Sequence, residues 1–487
     1  MVHDIAVIGA GAIAVSLLSS LKDEVGAAST PRTAIALWGR PETFGVGEAF
    51  GAAQREHLVN TQAALLGLTE SDPAGFVRWL ANRGREGHRY PERKAMARFL
   101  QDSYAGLRRA SALDVVEFRD EAIDIGINRD GTLQVFGRAA SCALARCVVL
   151  CVGAVPSRNL SYMSADSGYR GSGGEIGPVR GATVLIAGTG PSGLDALRSA
   201  MVGGAREVHL FSRNGFLPTC QSLAPHYQPK HFTWPLLQEQ CRGDSIGLAR
   251  VLALFQRELR EMGARCEFEP AAMVLKQKGT SAFLSYLLSR AQAHDLPLQD
   301  LLMSTRLYMH QLWRALSLGD RLLFDRVWRA LWSAWRHPVP AGTYEQLRDA
   351  VGAGFVRIHR VVRPPVCRDG QFWIDTAESG VVQGSVLVDA TGWSADTDST
   401  ALLRALCRRR LIEMHPCGGV DVDPESMQCI VGSRPVRGLF AVGPIARGVL
   451  FSTNAHWFNA RCAAQWARQW AAEAREACNT TNRASGH

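Results

Sequence analysis

Six short stretches of this chain are apolar almost without interruption, residues 5–8, 33–38, 147–152, 183–187, 386–389 and 439–442, and 207–211 is a further strand-like piece. Runs of this length with no polar break suit strands covered on both faces, as in parallel sheets. Segments 114–118, 122–127 and 132–136 alternate more, with Arg129-Asp130-Gly131 as a turn, and predict an antiparallel excursion. Strands are also expected near 355–359 and 372–376. Apolar residues recur at three and four positions in 74–83, 90–100, 235–336 and 452–475, which predicts amphipathic helices. Asp72 caps the first of these and Pro91 opens the second. Strands alternating with helices predict an α/β fold.

Two of the buried strands run into glycine turns that open helices. Gly9, Ala10, Gly11 and Ala14 form G-x-G-x-x-A after 5–8, and Gly188, Gly190, Ser192 and Gly193 lie in a full G-x-G-x-x-G after 183–187. Strand, glycine turn and helix together are the dinucleotide fingerprint, in which the helix N-terminus faces a pyrophosphate. Such a unit usually ends its second strand with an acid that holds the ribose. Here the first ends in Trp38-Gly39-Arg40, so backbone groups or Glu42 hold the ribose, or binding is weakened. The second ends in Ser212-Arg213, which favours a 2′-phosphate and hence NADPH. Gly45, Gly47 and Gly51 make a loop suited either to covering a planar cofactor or to an ordinary surface turn.

The chain has 487 residues, enough for two or three domains. Net charge is +9, carried almost wholly by arginine, yet no basic run is interleaved with aromatics, so nucleic acid is not an expected partner. The twelve cysteines form no C-x-x-C and no zinc spacing, so no metal is expected and a reducing cytoplasm fits. No leader is read from the N-terminal stretch, and no apolar run reaches the ~18–20 residues of a membrane span. Residues 235–336 are rich in Leu, Arg and Trp. Trp313, Trp328, Trp332 and Trp335 read as core, in a helical insertion that serves as a lid or an oligomer contact.

This layout resembles the two-dinucleotide-domain flavoproteins, and within them the relatives of flavin-dependent N-hydroxylating monooxygenases. The carrying motifs are GVGEAFG at 45–51, HLVN at 57–60, GTGPSGLDA at 188–196, SRNGFLP at 212–218, AWRHPVP at 334–340, DATGW at 389–393 and GPIARGVLFST at 443–453. The resemblance implies two Rossmann-like dinucleotide-binding domains, the NADPH domain inserted in the FAD domain. The FAD domain would comprise 1–156 and 381–478, the NADPH domain 178–380 with its helical insertion at 235–336, and a flexible tail 479–487.

Carried over by position, Gly9, Ala10, Gly11 and Ala14 face FAD. Asn60 lies near the flavin, Gln62 at its edge, Gly443, Pro444 and Thr453 close over it, and Gly392 is a further cofactor-binding residue. Gly188, Gly190, Ser192, Gly193, Ser212 and Arg213 take NADPH. His57 and Arg93 are candidates for binding a polar or anionic substrate group. The implied chemistry is NADPH reduction of FAD, reaction with O₂, and oxygen transfer from a C4a-hydroperoxyflavin to a small amine or amino acid.

Two related chemistries are disfavoured. No cysteine precedes Cys142, so the redox pair of a disulfide reductase is missing, and no F-x-G-x-x-x-H-x-x-x-W-P run lies between the fingerprints. A flavin oxidase or dehydrogenase that does not use NADPH, and a non-catalytic flavin-binding protein, remain open.

Overall fold

A computed structural model describes residues 1–26, 32–171, 176–222, 227–263, 268–394 and 400–484. The chain divides into two compact units. The first comprises residues 1–55, 61–156 and 393–487, and the second 56–60 and 157–392.

In the first unit Val2–Ile8 is the central strand, parallel to Thr33–Trp38 on one side and Cys142–Leu150 on the other. Leu113–Phe118 extends the sheet beyond Thr33–Trp38, and residues 439–441 of Arg434–Ala441 pair with 148–150 beyond Cys142–Leu150. Ile5, Ala6 and Val7 are fully buried, as an unbroken apolar run requires. Ala122–Ile127 and Leu133–Gly137 form the expected hairpin and join the sheet through Cys142–Leu150. Helix Ala12–Val25 packs against the long helix His456–Ala484. That helix is continuous to Ala484, past residue 479 where the tail was expected; the Ala- and Arg-rich turns before Cys478 carry it on through 479–484, although the Asn and Thr residues there are weak helix formers. Residues 485–487 lie outside the described residues.

The second unit is built on a five-stranded parallel sheet. Its order is Val356–Arg360, Glu207–Ser212, Thr183–Ala187, Val386–Asp389 and Tyr169–Arg170. Two sequence expectations change here. Residues 386–389 were expected in the returning part of the first domain, but Val386–Asp389 lies beside Thr183–Ala187, with Leu387 opposite Leu185. The chain passes to the first unit only at 393. Residues 157–177, left outside both expected domains, contain the edge strand Tyr169–Arg170. An antiparallel sheet of Val366–Arg368, Gln371–Thr376 and Gly380–Gly384 contributes Phe372 and Ile374 to a core with Leu185, Phe211 and Leu387.

Between Glu207–Ser212 and Val356–Arg360 the chain is helical. The helices are Trp234–Glu239, Leu248–Glu261, Phe268–Gln292, Pro297–Ser304, Met309–Ala315, Leu318–Val327, Arg329–Arg336 and Ala341–Gly352. Gly279, at φ +80°, interrupts Phe268–Gln292. Trp313 and Trp335 are buried, as a core stripe requires, but Trp328 is exposed. The stripe is therefore core for only part of its length.

Candidate functional site

The two fingerprint turns are built alike, each within its own unit. Gly9 has φ +104°, and its N–H donates to the Trp38 carbonyl at 2.8 Å. A Cβ there would lie 2.4 Å from the Cys151 carbonyl oxygen. Cys151 in turn donates its N–H to the Ile8 carbonyl at 2.7 Å. Gly188 has φ +131°, donates to Phe211 O at 2.8 Å, and its Cβ would lie 2.2 Å from Ala390 O. Ala390 donates to Ala187 O at 2.9 Å. The first glycine of each fingerprint is thus required by a neighbouring strand end that passes through the space of its side chain. Cys151 is buried, which raises its thiol pKa and keeps it neutral beside the turn.

The second glycines differ. A Cβ on Gly11 would lie 3.1 Å from Gly47 Cα, and Gly47 has φ +72°. The loop that carries Gly45 and Gly47 is therefore laid on the first turn, with Gly45 N–H donating to Ala10 O at 2.7 Å. Gly190 has nothing within 4 Å of a Cβ position. Space above the second turn is open, and Gly193 packs beneath it, 2.1 Å from Gly188 O at its Cβ position.

Neither helix has a side-chain cap: Gly11 and Gly190 occupy the N-cap positions of Ala12–Val25 and Pro191–Val202. First-turn N–H groups have no intrahelical acceptor, and the macrodipole places about half a positive charge there. A phosphate is the expected complement. Ser192 is exposed at the second helical position of the second turn, while Ala14 and Gly193 are buried. These glycine turns and uncapped helices fit the pyrophosphates of two dinucleotides.

The strand ends explain the missing acid. Gly39 donates to Phe118 O at 3.1 Å, and a Cβ there would lie 2.6 Å from Ala10 Cβ. No side chain fits at 39 while Ala10 holds its place. Trp38, fully buried, stacks on Phe118 with ring centroids 4.5 Å apart. Glu42 is exposed and lies 3.7 Å from Arg40, which also pairs with Glu48. At the second strand end Ser212 Oγ accepts from Thr189 Oγ1 at 3.0 Å and from Gly215 N at 2.9 Å. Ser212 therefore shapes the turn, and Arg213 stands exposed beside it. Ser212 is in register with Arg360, also exposed, whose stem passes 3.6 Å from the Cβ position of Gly215. Sequence reasoning missed Arg360: it ended the expected strand at 359 and had no register to bring it beside Arg213.

The late motifs fall in different units. Gly443, at φ +97°, has a Cβ position 2.3 Å from Ile13 Cδ1, so the 443–446 turn rests on the first turn of helix Ala12–Val25. Pro444 opens the short turn Pro444–Ala446. Thr453 is buried, and its carbonyl accepts from Asn459 Nδ2 at 2.9 Å. Asn459 Oδ1 is buried without a hydrogen-bond partner. Burial pushes His456 down to about 4, so it is neutral. Gly392, assigned above to the flavin side, belongs to the second unit, where its carbonyl accepts from Ser157 N at 3.1 Å. The turn is tied by Asp389, whose carboxylate accepts from Thr391 N at 2.9 Å, Thr391 Oγ1 at 2.7 Å and Tyr169 Oη at 3.1 Å.

The three substrate-side candidates are not brought together within one unit. His57 and Asn60 lie in 56–60, which belongs to the second unit. His57 Nε2 is 2.9 Å from Ser199 Oγ on helix Pro191–Val202. Arg198 on the same helix donates to the Glu56 carbonyl at 3.3 Å and Thr343 Oγ1 at 2.7 Å. Gln62 precedes the turn Ala63–Leu65 and Arg93 begins helix Arg93–Leu107, both in the first unit and partly exposed.

No curated protein sequence matches the chain. Residues 6–155 match a family model described as FAD-NAD(P)-binding. Ornithine hydroxylase (PvdA) from Pseudomonas aeruginosa in its reduced form is similar in structure, with TM-score 0.60 at 13% identity, over 97% of this chain and 99% of that one. DfoA from Erwinia amylovora, a cadaverine monooxygenase bound to FAD, gives TM-score 0.54 at 12% identity over 96% and 94%. Caprolactone-bound cyclohexanone monooxygenase gives 0.51 at 14% over 97% and 88%. Together these findings give the chain the fold of solved two-dinucleotide-domain flavoprotein monooxygenases, with residues 6–155 similar to a FAD-NAD(P)-binding family.

Proposed function

We propose that the chain is an NADPH-dependent flavin monooxygenase that oxygenates the nitrogen of a small amine or amino acid, using O₂. The observation that carries this reading is the pair of uncapped glycine turns, one per unit, each held open by a strand end. An ornithine hydroxylase and a cadaverine monooxygenase are both similar in fold, which supports an amine or amino acid as the substrate.

In the first unit the amides around Gly11, Ala12 and Ile13 would hold the FAD pyrophosphate, with the Gly443–Pro444 turn beside them. The Asn459 carboxamide and the Thr453 segment offer a buried polar group on the same unit. In the second unit Gly190 leaves room for the NADPH pyrophosphate, and Arg213 and Arg360 are placed for its 2′-phosphate. Bound FAD, reduced by NADPH, would supply the activated oxygen. What remains for the protein is to orient the amine and exclude water. Gln62, His57 and Arg93 are proposed for substrate or flavin-edge contacts. Within the described residues no helix is long and apolar enough to cross a membrane, and the described cysteines are free thiols.

The test is NADPH oxidation by FAD-loaded protein across a panel of amines and amino acids, with product masses recorded. A substrate-dependent gain of one oxygen supports the reading. Bound flavin that NADPH never reduces, with every substrate tried, sinks it in favour of an oxidase.

A further inference from the structure

Among the described residues, two partly buried guanidinium groups of the helical insertion meet no carboxylate. Arg306 lies in the turn Thr305–Leu307, and Arg336 ends helix Arg329–Arg336. Among the described residues neither takes part in an ion pair, whereas their neighbours do: Arg329 pairs with Asp325, and Arg290 with Asp295 at 3.2 Å. Arg336 Nη1 reaches the Met303 sulfur at 3.5 Å, a weak acceptor. Its Nε is enclosed with no acceptor at all. Met303 and Arg306 are three residues apart in successive helical turns, which puts Arg306 on the face that Met303 turns to Arg336.

Among the described residues no carboxylate supplies a countercharge. Burial, then the charge of Arg306, pushes Arg336 down to about 10, and burial alone lowers Arg306. Both still carry their charge at neutral pH. His337, beside Arg336, is pushed down to about 3 by burial and by Arg336, so it adds no charge of either sign. Its Nδ1 is 3.1 Å from Ser333 Oγ. The one compensation is the C-terminal end of helix Arg329–Arg336, typically ~0.3–1 kcal/mol for a cation. An isolated buried charge costs several times that. Adjacent guanidiniums with unfilled donors are an arrangement that an anion completes.

We propose that Arg306 and Arg336 form a binding site for the carboxylate of a small organic acid. Each guanidinium presents a planar donor fork matched to two carboxylate oxygens, and the enclosed Nε of Arg336 is the donor that the acid satisfies. The site lies within the second unit and does not depend on the oxygenation reading.

Calorimetric titration of the full-length protein with succinate and with inorganic phosphate, at constant ionic strength, tests this. Succinate is expected to bind saturably with a dissociation constant under about 1 mM. Arg306→Gln and Arg336→Gln each weaken it about tenfold or more, and Arg336→Lys retains part of the affinity. Neither glutamine variant is expected to melt lower, because each removes an uncompensated charge. If one does fail to fold, the rise in wild-type Tm with succinate decides instead. No saturable binding and no Tm rise overturns the proposal. So does binding that both glutamine variants leave unchanged, or phosphate binding far tighter than succinate.

Discussion

Gly188 and Gly190 stand two residues apart in one fingerprint, and their replacement by alanine should fail in opposite ways. At Gly188 the new methyl would sit 2.2 Å from the Ala390 oxygen, at φ +131°. Unfavourable φ costs roughly 1–2 kcal/mol, and forcing the strand end aside costs a further ~1–3 kcal/mol. Gly188→Ala is therefore expected to lose about 2–5 kcal/mol, a large share of the ~5–15 kcal/mol that holds a typical protein folded. At ~2–4 °C per kcal/mol this lowers the melting temperature of the second unit by about 5–20 °C. At Gly190 φ is −84° and nothing lies within 4 Å of the methyl. Gly190→Ala should melt at or slightly above wild type, since alanine narrows the unfolded ensemble by ~0.4–1 kcal/mol. Its methyl instead stands where a pyrophosphate must approach the helix N-terminus, so NADPH affinity should fall at least about tenfold, ~1.4 kcal/mol. Differential scanning calorimetry and anaerobic stopped-flow reduction of the flavin read the two effects separately. A Gly190→Ala protein that binds NADPH normally would refute the assignment of this turn, and a stable Gly188→Ala protein would refute the steric argument.

Three further outcomes follow from the strand ends. Gly39→Asp, which installs the usual ribose acid, should destabilise the first unit by about 1–3 kcal/mol, because its Cβ lies 2.6 Å from that of Ala10; urea unfolding with unchanged midpoint would contradict this. Arg213→Gln and Arg360→Gln should each raise the KM for NADPH about tenfold while leaving that for NADH nearly unchanged, as steady-state kinetics with both cofactors will reveal. Glu207 is held down to about 2, first by the Thr183 hydroxyl and then, against the opposing effect of burial, by Arg357 and Arg206. Its folded pKa is below the unfolded value, so its contribution is full above about pH 4.5 and is lost as pH falls toward 2. Allowing for its partial exposure, this is on the order of 2 kcal/mol. Glu207→Gln should flatten stability over that window, and an unchanged acid-unfolding profile would disprove the pairing.

Both glycine turns were legible in the sequence because they join signals of different kinds: an apolar run, a glycine spacing and a helical period. Arg213 was legible for the same reason, as it ends a strand whose length the apolar run defines. The DATGW segment was not correctly placed, because Val386–Asp389 is apolar in the same way as the strands of the other sheet. Only pairing with Thr183–Ala187 distinguishes the two, and pairing is non-local. Arg306 and Arg336 escaped notice for a related reason. In a chain with 54 Lys and Arg residues, an arginine without a partner cannot be told from one with a partner until the helices are packed. His57 was legible only as a candidate for a substrate contact; its hydrogen bond to Ser199 spans 142 positions.

The first sheet has a consequence for the order in which the protein is made. Arg434–Ala441 completes that sheet against Cys142–Leu150, and the Gly443 turn beside the first helix follows it. The whole of 157–392 is synthesised in between. At ~5–20 residues per second, the nascent first unit waits roughly 15–60 s with the 148–150 end of one flank of Cys142–Leu150 unpaired, the 142–145 end being already covered by Leu133–Gly137. Over that interval the second unit, apart from 56–60, can close on its own contiguous chain. The first nucleotide site is thus the first to be encoded and the last to be finished, and the exposed strand edge during the delay is where misassembly of this chain should begin.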